Sequence, residues 1–134
     1  MKKIFGIMSV TFLLMIAAAN TSNAQSISLS VSTTSVVRYW DGYTLYIYSN
    51  DSNGAIDLIC SPNVSGYKYV WSVQGYNGTP CQIYPNLTNS PFARVYIWMP
   101  SAYQYGYVDV SCEVYNSSGT KLGTAYYGIP LMYF

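Results

Sequence analysis

The sequence contains no histidine, and only 8% of its 134 residues are charged. Without histidine, a serine or cysteine nucleophile lacks its usual base and a metal site lacks its commonest nitrogen ligand. The carboxylates do not compensate, because Asp109 and Glu113 lie four residues apart on one predicted strand, about 13 Å at ~3.3 Å per residue. A glycosidase pair needs a separation of roughly 5–9.5 Å. We therefore predict a protein that is not an enzyme and that has no cofactor and no metal site.

Basic residues are scarce as well. Residues 25–134 hold two lysines and two arginines against five carboxylates, and the basic residues do not cluster. Nucleic-acid binding requires a basic surface, and binding to anionic lipid requires a polybasic patch. The composition therefore excludes both kinds of partner.

The first 24 residues read as a secretory signal peptide. Lys2 and Lys3 give a positive start, an apolar run extends from Ile4 to Ala19, and small residues at 22–24 suit cleavage. The alternative, an uncleaved anchor, is disfavoured because this run is shorter than the ~20 residues that cross a bilayer. No cysteine follows the cleavage site, so we expect no lipid anchor. The prediction is one domain at 25–134, secreted, periplasmic or on the cell surface, with no membrane insertion after cleavage.

Helical periodicity is lacking after residue 25. Apolar residues do not recur with a helical spacing; instead, β-branched and aromatic residues alternate with polar ones in short runs. This pattern predicts an all-β domain, built as a sandwich or a small barrel. The predicted strands are Ile27–Val31, Tyr43–Ser49, Ala55–Cys60, Tyr67–Val73, Gln82–Tyr84, Ala93–Met99, Gly106–Tyr115 and Leu122–Ile129.

Alternation within the strands also predicts which side chains face the core, because successive residues of a strand point to opposite sides. The predicted core residues of three strands are Val108, Val110, Cys112, Val114, Val95, Ile97, Met99, Leu45 and Ile47. Between the strands, dipeptides that adopt positive φ at low cost predict tight reversals. These dipeptides are Asp41-Gly42, Asn53-Gly54, Asn77-Gly78 and Ser118-Gly119.

Three cysteines follow the leader: Cys60, Cys81 and Cys112. An exported protein meets conditions in which disulfides persist, and three cysteines allow three single pairings with one thiol left over. Cys60 ends an apolar strand, Trp71 lies on the strand Tyr67–Val73, and Cys112 lies on a later one. This order of cysteine, tryptophan and cysteine in an all-β domain resembles the immunoglobulin fold.

A closer resemblance is to the immunoglobulin-like and polycystin-type (PKD-like) domains of exported bacterial surface proteins. It is carried by the segments 69–75 and 106–114 and by Asn116 and Gly119 in the following turn. The sequence departs from the immunoglobulin pattern at Val110, where a tyrosine is usual. The resemblance implies an immunoglobulin-like β-sandwich of about 7–8 antiparallel strands and a binding, spacing or adhesive role.

The same resemblance implies a disulfide pairing. In immunoglobulin domains the two cysteines bridge the sheets and the tryptophan packs on the bridge. The implied bridge is Cys60–Cys112, covered by Trp71, with Cys81 as a free thiol. The rival pairing of Cys60 with Cys81 would leave Cys112 as a buried thiol.

Tyrosine is the abundant residue, with 16 copies beside three tryptophans. Tyrosine covers sheet faces in all-β proteins, and it also supplies large, rigid contact areas. If Ala55–Cys60 lies between Tyr43–Ser49 and Ala93–Met99, the outward residues form one platform around Asp57 and Ile59. The predicted ligand or partner contacts on that platform are Tyr46, Tyr48, Arg94, Tyr96 and Trp98. A second candidate surface on the opposite sheet comprises Tyr105, Tyr107, Asp109 and Tyr115.

Two functions remain open from the sequence. The first is a secreted binding or adhesion module whose exposed rings contact carbohydrate or a protein partner. The alternative is a structural subunit that self-associates through its aromatic faces and free sheet edges, since a low charge opposes such association weakly.

Overall fold

The computed structural model describes residues 25–33, 36–48, 50, 51, 53–98 and 103–134. The predicted signal peptide and the predicted core residue Met99 lie outside these ranges. All described secondary structure is β. The strands are β1 Ser28–Thr33, β2 Tyr39–Trp40, β3 Leu45–Ile47, β4 Asn53–Ser61, β5 Lys68–Tyr76, β6 Cys81–Ile83, β7 Phe92–Trp98, β8 Tyr105–Tyr115 and β9 Lys121–Tyr133.

The strands form two sheets that pack face to face as a sandwich. One sheet has four strands in the order β1-β4-β7-β6, and the other has five in the order β2-β3-β9-β8-β5. If β2 and β3 are set aside and the other seven strands are lettered A to G in chain order, the first sheet has the order A-B-E-D and the second contains G-F-C, the arrangement of an immunoglobulin sandwich. The predicted all-β sandwich is therefore confirmed.

The core lies between the sheets and follows the predicted alternation. All four predicted core residues of β8 are fully buried, as are Val95 and Ile97 on β7 and Leu45 and Ile47 on β3. Trp71 is buried on β5, and its Nε1 donates a hydrogen bond to the backbone carbonyl of Ser90 at 3.0 Å. Each strand thus places one apolar row in the core and leaves the other row on an outer face.

The position of β3 differs from the prediction. The segment Tyr43–Ser49 was expected beside Ala55–Cys60, but β3 belongs to the other sheet and runs parallel to β9. The neighbours of β4 are β1 and β7. The strand pairs are therefore antiparallel with this one exception, and the described residues also include β2, which the sequence did not indicate.

The dipeptide Asn53-Gly54 was wrongly predicted as a tight turn, because both residues belong to β4. Gly54 is buried there, and a Cβ at this position would lie 3.2 Å from Ile47 Cδ1. Glycine therefore serves close packing between the two sheets. By contrast, Asn77 and Gly78 have φ values of 55° and 72°, so the predicted reversal between β5 and β6 is confirmed.

Candidate contact surfaces

The five predicted contact residues do not form one platform. Tyr46 and Tyr48 lie on or next to β3 in the five-stranded sheet, whereas Arg94, Tyr96 and Trp98 lie on β7 in the four-stranded sheet. The prediction of a single platform was wrong because β1, and not the segment Tyr43–Ser49, pairs with the outer side of β4. The outward residues consequently form two surfaces on opposite sides of the sandwich.

The outer face of the four-stranded sheet is organised around an ion pair between Arg94 and Asp57. The two residues are directly opposite on β7 and β4. Arg94 donates from Nε to Oδ1 at 2.6 Å and from Nη2 to Oδ2 at 2.8 Å, and Thr33 donates to Oδ2 at 2.7 Å. The hydrogen bonds from Arg94, and then the one from Thr33, hold the pKa of Asp57 below its usual value. Both charged groups are therefore fixed in place and ionised at neutral pH.

Two half-buried aromatic rings continue this face along β7. Tyr96 and Trp98 stack with ring centroids 6.2 Å apart and planes inclined by 25°. They lie opposite Ala55 and Asn53 on β4. Their outward direction agrees with the predicted alternation, because Val95 and Ile97 between them are buried.

The outer face of the five-stranded sheet carries most of the exposed rings. Residue pairing aligns outward side chains in rows across the strands: Tyr39, Tyr46, Met132 and Tyr105 form one row, and Pro130, Tyr107 and Tyr76 form the next. Tyr105 and Tyr126 are 71% and 75% exposed. We call this surface the tyrosine face, defined by Tyr39, Tyr46, Tyr48, Tyr76, Tyr105, Tyr107 and Tyr126.

Several rings of the tyrosine face hold each other in position. Tyr46 lies 5.1 Å from Tyr39 and stacks on Phe134 at 5.8 Å with an angle of 11° between the planes. Tyr48 also contacts Phe134, at 6.3 Å. The Tyr46 hydroxyl donates to Asp41, and this hydrogen bond raises the pKa of Tyr46. The rings on this side of the face are thus preorganised for contact.

Tyr107 lies across β9, over Gly128. A Cβ at Gly128 would overlap the Tyr107 hydroxyl, so the ring needs the space that glycine leaves. Tyr76 flanks this ring at 6.1 Å with an angle of 51° between the planes. Burial, followed by the charge of Asp109, raises the pKa of Tyr107. The ring is therefore held close to the sheet.

Sequence reasoning missed several members of the tyrosine face. Tyr76 was missed because the predicted strand ended at Val73, whereas β5 continues to Tyr76. Tyr126 was missed because it is adjacent to Tyr127, and the sequence alone does not show which of two neighbouring tyrosines points outward. The signal was the row of small and polar residues at alternate positions of β9, since Tyr126 shares its side with Thr124 and Gly128.

The predicted second surface is only partly joined to the tyrosine face: Tyr105 and Tyr107 belong to that face, whereas Tyr115 does not. Tyr115 lies near the other end of β8, where its hydroxyl donates to Glu113 at 2.7 Å and Lys68 lies over its ring at 5.6 Å. Lys121 also binds Glu113, at 2.8 Å. These residues form a local charged cluster, separate from the rings around Tyr107.

Cys60 and Cys112 face each other across the core. Both are fully buried, on the second strand of one sheet and the fourth of the other, and both thiols are free in the structure. Each thiol donates to the carbonyl of the residue that follows it, at 3.9 Å. Interaction with the Cys60 thiol, together with burial, raises the pKa of Cys112. The Cys60–Cys112 disulfide remains a prediction. Cys81 points from β6 toward the core edge, and burial raises its pKa.

The described part of the chain holds no group of three histidine, cysteine, aspartate or glutamate side chains placed to bind a metal ion. Within the same residues, no helix is long and apolar enough to span a membrane.

No family model matches the sequence, and no curated protein matches it. Among solved structures, domains 4 and 5 of the S-layer protein SbsC are similar at 8% identity with a TM-score of 0.49, over 78% of this chain and 53% of that one. The SrpA adhesin of Streptococcus sanguinis is similar at 8% identity with a TM-score of 0.43, over 81% and 60%.

A third similar structure is AggA, the major subunit of aggregative adherence fimbriae type I from Escherichia coli. It shares 10% identity with a TM-score of 0.41, over 83% of this chain and 97% of its own. The chain spans between about half and three fifths of the length of the first two structures. With TM-scores below 0.5, these similarities assign neither a family nor a function.

Proposed function

We propose that this protein is an exported, non-catalytic binding or adhesion module of the immunoglobulin-like, PKD-like type. It contacts a carbohydrate or a protein partner through the tyrosine face. The observation that carries this proposal is the gathering of seven tyrosines on one outer face, with Tyr105 and Tyr126 more than two thirds exposed. Leader cleavage without lipidation would release the protein to the periplasm, cell surface or medium.

The physical argument rests on ring area and rigidity. A tyrosine ring buries a large area on binding and loses few rotatable bonds, so tyrosines dominate many binding hot spots. The Tyr46 ring is already restrained by stacking on Phe134, and the Tyr107 ring by its position against Gly128. Binding therefore costs less conformational entropy than it would with freely rotating side chains.

Self-association is the second candidate, and the edge of the same sheet favours it. β5 is an edge strand of nine residues, and β8 is its one neighbour within the sheet. The Tyr69 N–H points away from β8 and donates to the backbone carbonyl of Thr88. By alternation, the N–H and C=O groups of Val73 also point away from β8, and they have no such backbone partner among the described residues. A free edge next to Tyr76 is suited to pairing with a second copy.

A double variant tests the proposed surface. Tyr105→Ser with Tyr126→Ser removes two exposed rings, and the matched control Tyr43→Ser with Tyr84→Ser removes two exposed rings elsewhere. Binding is measured on a panel of immobilised glycans and host-surface proteins, and self-association by sedimentation velocity. We expect the first pair to weaken binding or association at least tenfold, because a central ring contributes over ~1 kcal/mol.

The control pair should keep both the fold and the activity. If the first pair unfolds no more easily than the control and every binding activity persists, the tyrosine face is a covered sheet surface and the proposal is wrong. The predicted contacts Arg94, Tyr96 and Trp98 are on the opposite sheet, so these variants do not bear on them.

A further inference from the structure

A groove crosses the outer face of the four-stranded sheet, on the side opposite the tyrosine face. Its volume is about 590 Å³, within the range of ligand sites in proteins. The residues that shape it are Thr33, Asp57, Pro85, Leu87, Phe92 and Arg94. We propose that this groove binds a neutral sugar ring, independently of the partner that the tyrosine face contacts.

The polar part of the groove is a pair whose charges cancel. Arg94 and Asp57 bind each other through two hydrogen bonds, and Thr33 fixes the same carboxylate. An anionic ligand would have to compete with Asp57 for the guanidinium, and a cationic ligand would have to compete with Arg94 for the carboxylate. The pair therefore favours a neutral ligand.

The same pair keeps hydrogen-bonding capacity of both kinds. A guanidinium has five N–H donors, of which two bind Asp57 and Tyr96 also interacts with the group. A carboxylate accepts about four hydrogen bonds, and three are made here. The remaining donors and the remaining acceptor lie side by side. Adjacent hydroxyl groups, which both donate and accept, match this pattern.

The walls of the groove are apolar and accessible. Phe92 and Leu87 are 52% and 51% exposed, and Pro85 lies beside them. A pyranose ring has a face of C–H groups that packs against such side chains, while its hydroxyls point outward from the ring edge. The juxtaposition of an exposed phenyl ring with a fixed carboxylate and guanidinium therefore fits a sugar better than a purely apolar ligand.

A purely structural role accounts for less of this arrangement. A cross-strand ion pair stabilises the pairing of two strands without any neighbouring groove. It does not explain why the chain between β6 and β7 builds a wall from Pro85 and Leu87 that leaves Phe92 half exposed.

The test is a titration of ¹⁵N-labelled protein with the methyl α-glycosides of glucose, galactose and mannose. Glucuronate and glucosamine serve as charged comparators. We expect at least one neutral glycoside to give saturable shifts of the Arg94 Nε–H and the Thr33 and Phe92 amides, at concentrations up to about 100 mM. Both charged sugars should bind more weakly than that glycoside.

Two variants localise the effect. Phe92→Ser should weaken glycoside binding about five- to tenfold, because the sugar loses its contact with one aromatic ring. Tyr126→Ser on the tyrosine face should leave it unchanged. Loss of tyrosine-face activity in Tyr126→Ser with intact glycoside binding, and the reverse in Phe92→Ser, would separate this proposal from the proposed function.

Three results would overturn the assignment. The first is the absence of saturable shifts at these resonances with all three glycosides. The second is tighter binding of glucuronate or glucosamine than of any neutral sugar. The third is saturation of the groove by the tripeptide Gly-Leu-Phe when the glycosides leave it unchanged, which would identify a protein segment as the occupant.

Discussion

The Cys60–Cys112 disulfide is open to a direct measurement of stability. The bridge would close a loop of about 53 residues, and the chain-entropy relation gives about 4 kcal/mol for a loop of this length. That is a large fraction of the ~5–15 kcal/mol that stabilises a typical domain. Both thiols are free and buried in the structure, they belong to opposite sheets, and each shifts the pKa of the other, so the bond would form across the core.

The appropriate protein for this experiment is Cys81→Ser, which removes the competing thiol. Its oxidised and reduced forms differ only in the bridge, so each is a control for the other. Urea unfolding, followed by tryptophan fluorescence, should give a midpoint about 1–4 M higher for the oxidised form, because ~4 kcal/mol is divided by a slope of about 1–3 kcal/mol/M. Trp71 is buried and lies opposite Cys112, so its emission reports on the core around the bridge.

Two results would refute this reasoning. In the first, Cys81→Ser keeps two titratable thiols after oxidation with glutathione disulfide. In the second, non-reducing peptide mapping of the unsubstituted protein gives Cys60–Cys81 or Cys81–Cys112 as the major bridge. A midpoint difference corresponding to less than about 1 kcal/mol would contradict the entropic magnitude alone.

Three further outcomes are expected. Gly54→Ala should lower the free energy of unfolding, measured in urea, by about 1–3 kcal/mol, because the added Cβ would lie 3.2 Å from Ile47 Cδ1 in the packed core. An unchanged midpoint would contradict this prediction, because it would mean that the core relaxes around the methyl group. Gly128→Ala should displace Tyr107, seen as loss of the contact between their protons by NMR, while stability changes by less than about 1 kcal/mol because the ring is exposed. Asp57→Asn should lower the free energy of unfolding by about 1 kcal/mol at pH 7. Because the pKa of Asp57 is lowered in the folded protein, its ionic contribution is present above about pH 4 and is lost as pH falls through the folded value. The difference between Asp57→Asn and the unsubstituted protein should therefore shrink below pH 4, and a constant difference would contradict this account.

The faces of the strands were predictable because alternation is a local property. Val108, Val110, Cys112 and Val114 occupy every second position of one strand, and all four are buried. No long-range information is needed to read such a row, because the pleat itself sends successive side chains to opposite sides. The order of cysteine, tryptophan and cysteine likewise placed Cys60 and Cys112 on opposite sheets, with Trp71 on the strand beside Cys112.

Strand neighbours were less predictable, because alternation does not state which strand lies alongside. Tyr46 was correctly predicted to point away from the core, on the other side of β3 from Leu45 and Ile47, yet β3 pairs with β9 and not with β4. This choice depends on contacts between segments more than eighty residues apart, such as the pair Ile47 and Tyr133. The groove beside Asp57 was not foreseen either, because the connection between β6 and β7 forms one of its walls.

The parallel pairing of β3 with β9 has a mechanical consequence. Because the two strands point the same way, the start of β3 and the end of β9 are at opposite ends of their shared ladder. Tension between those two points slides the strands past each other and loads the hydrogen bonds together, including that from the Phe134 amide to the Ile47 carbonyl at 3.0 Å. An antiparallel hairpin pulled apart at its open end breaks one bond at a time. Resistance to pulling on this sandwich therefore depends on a strand of three residues.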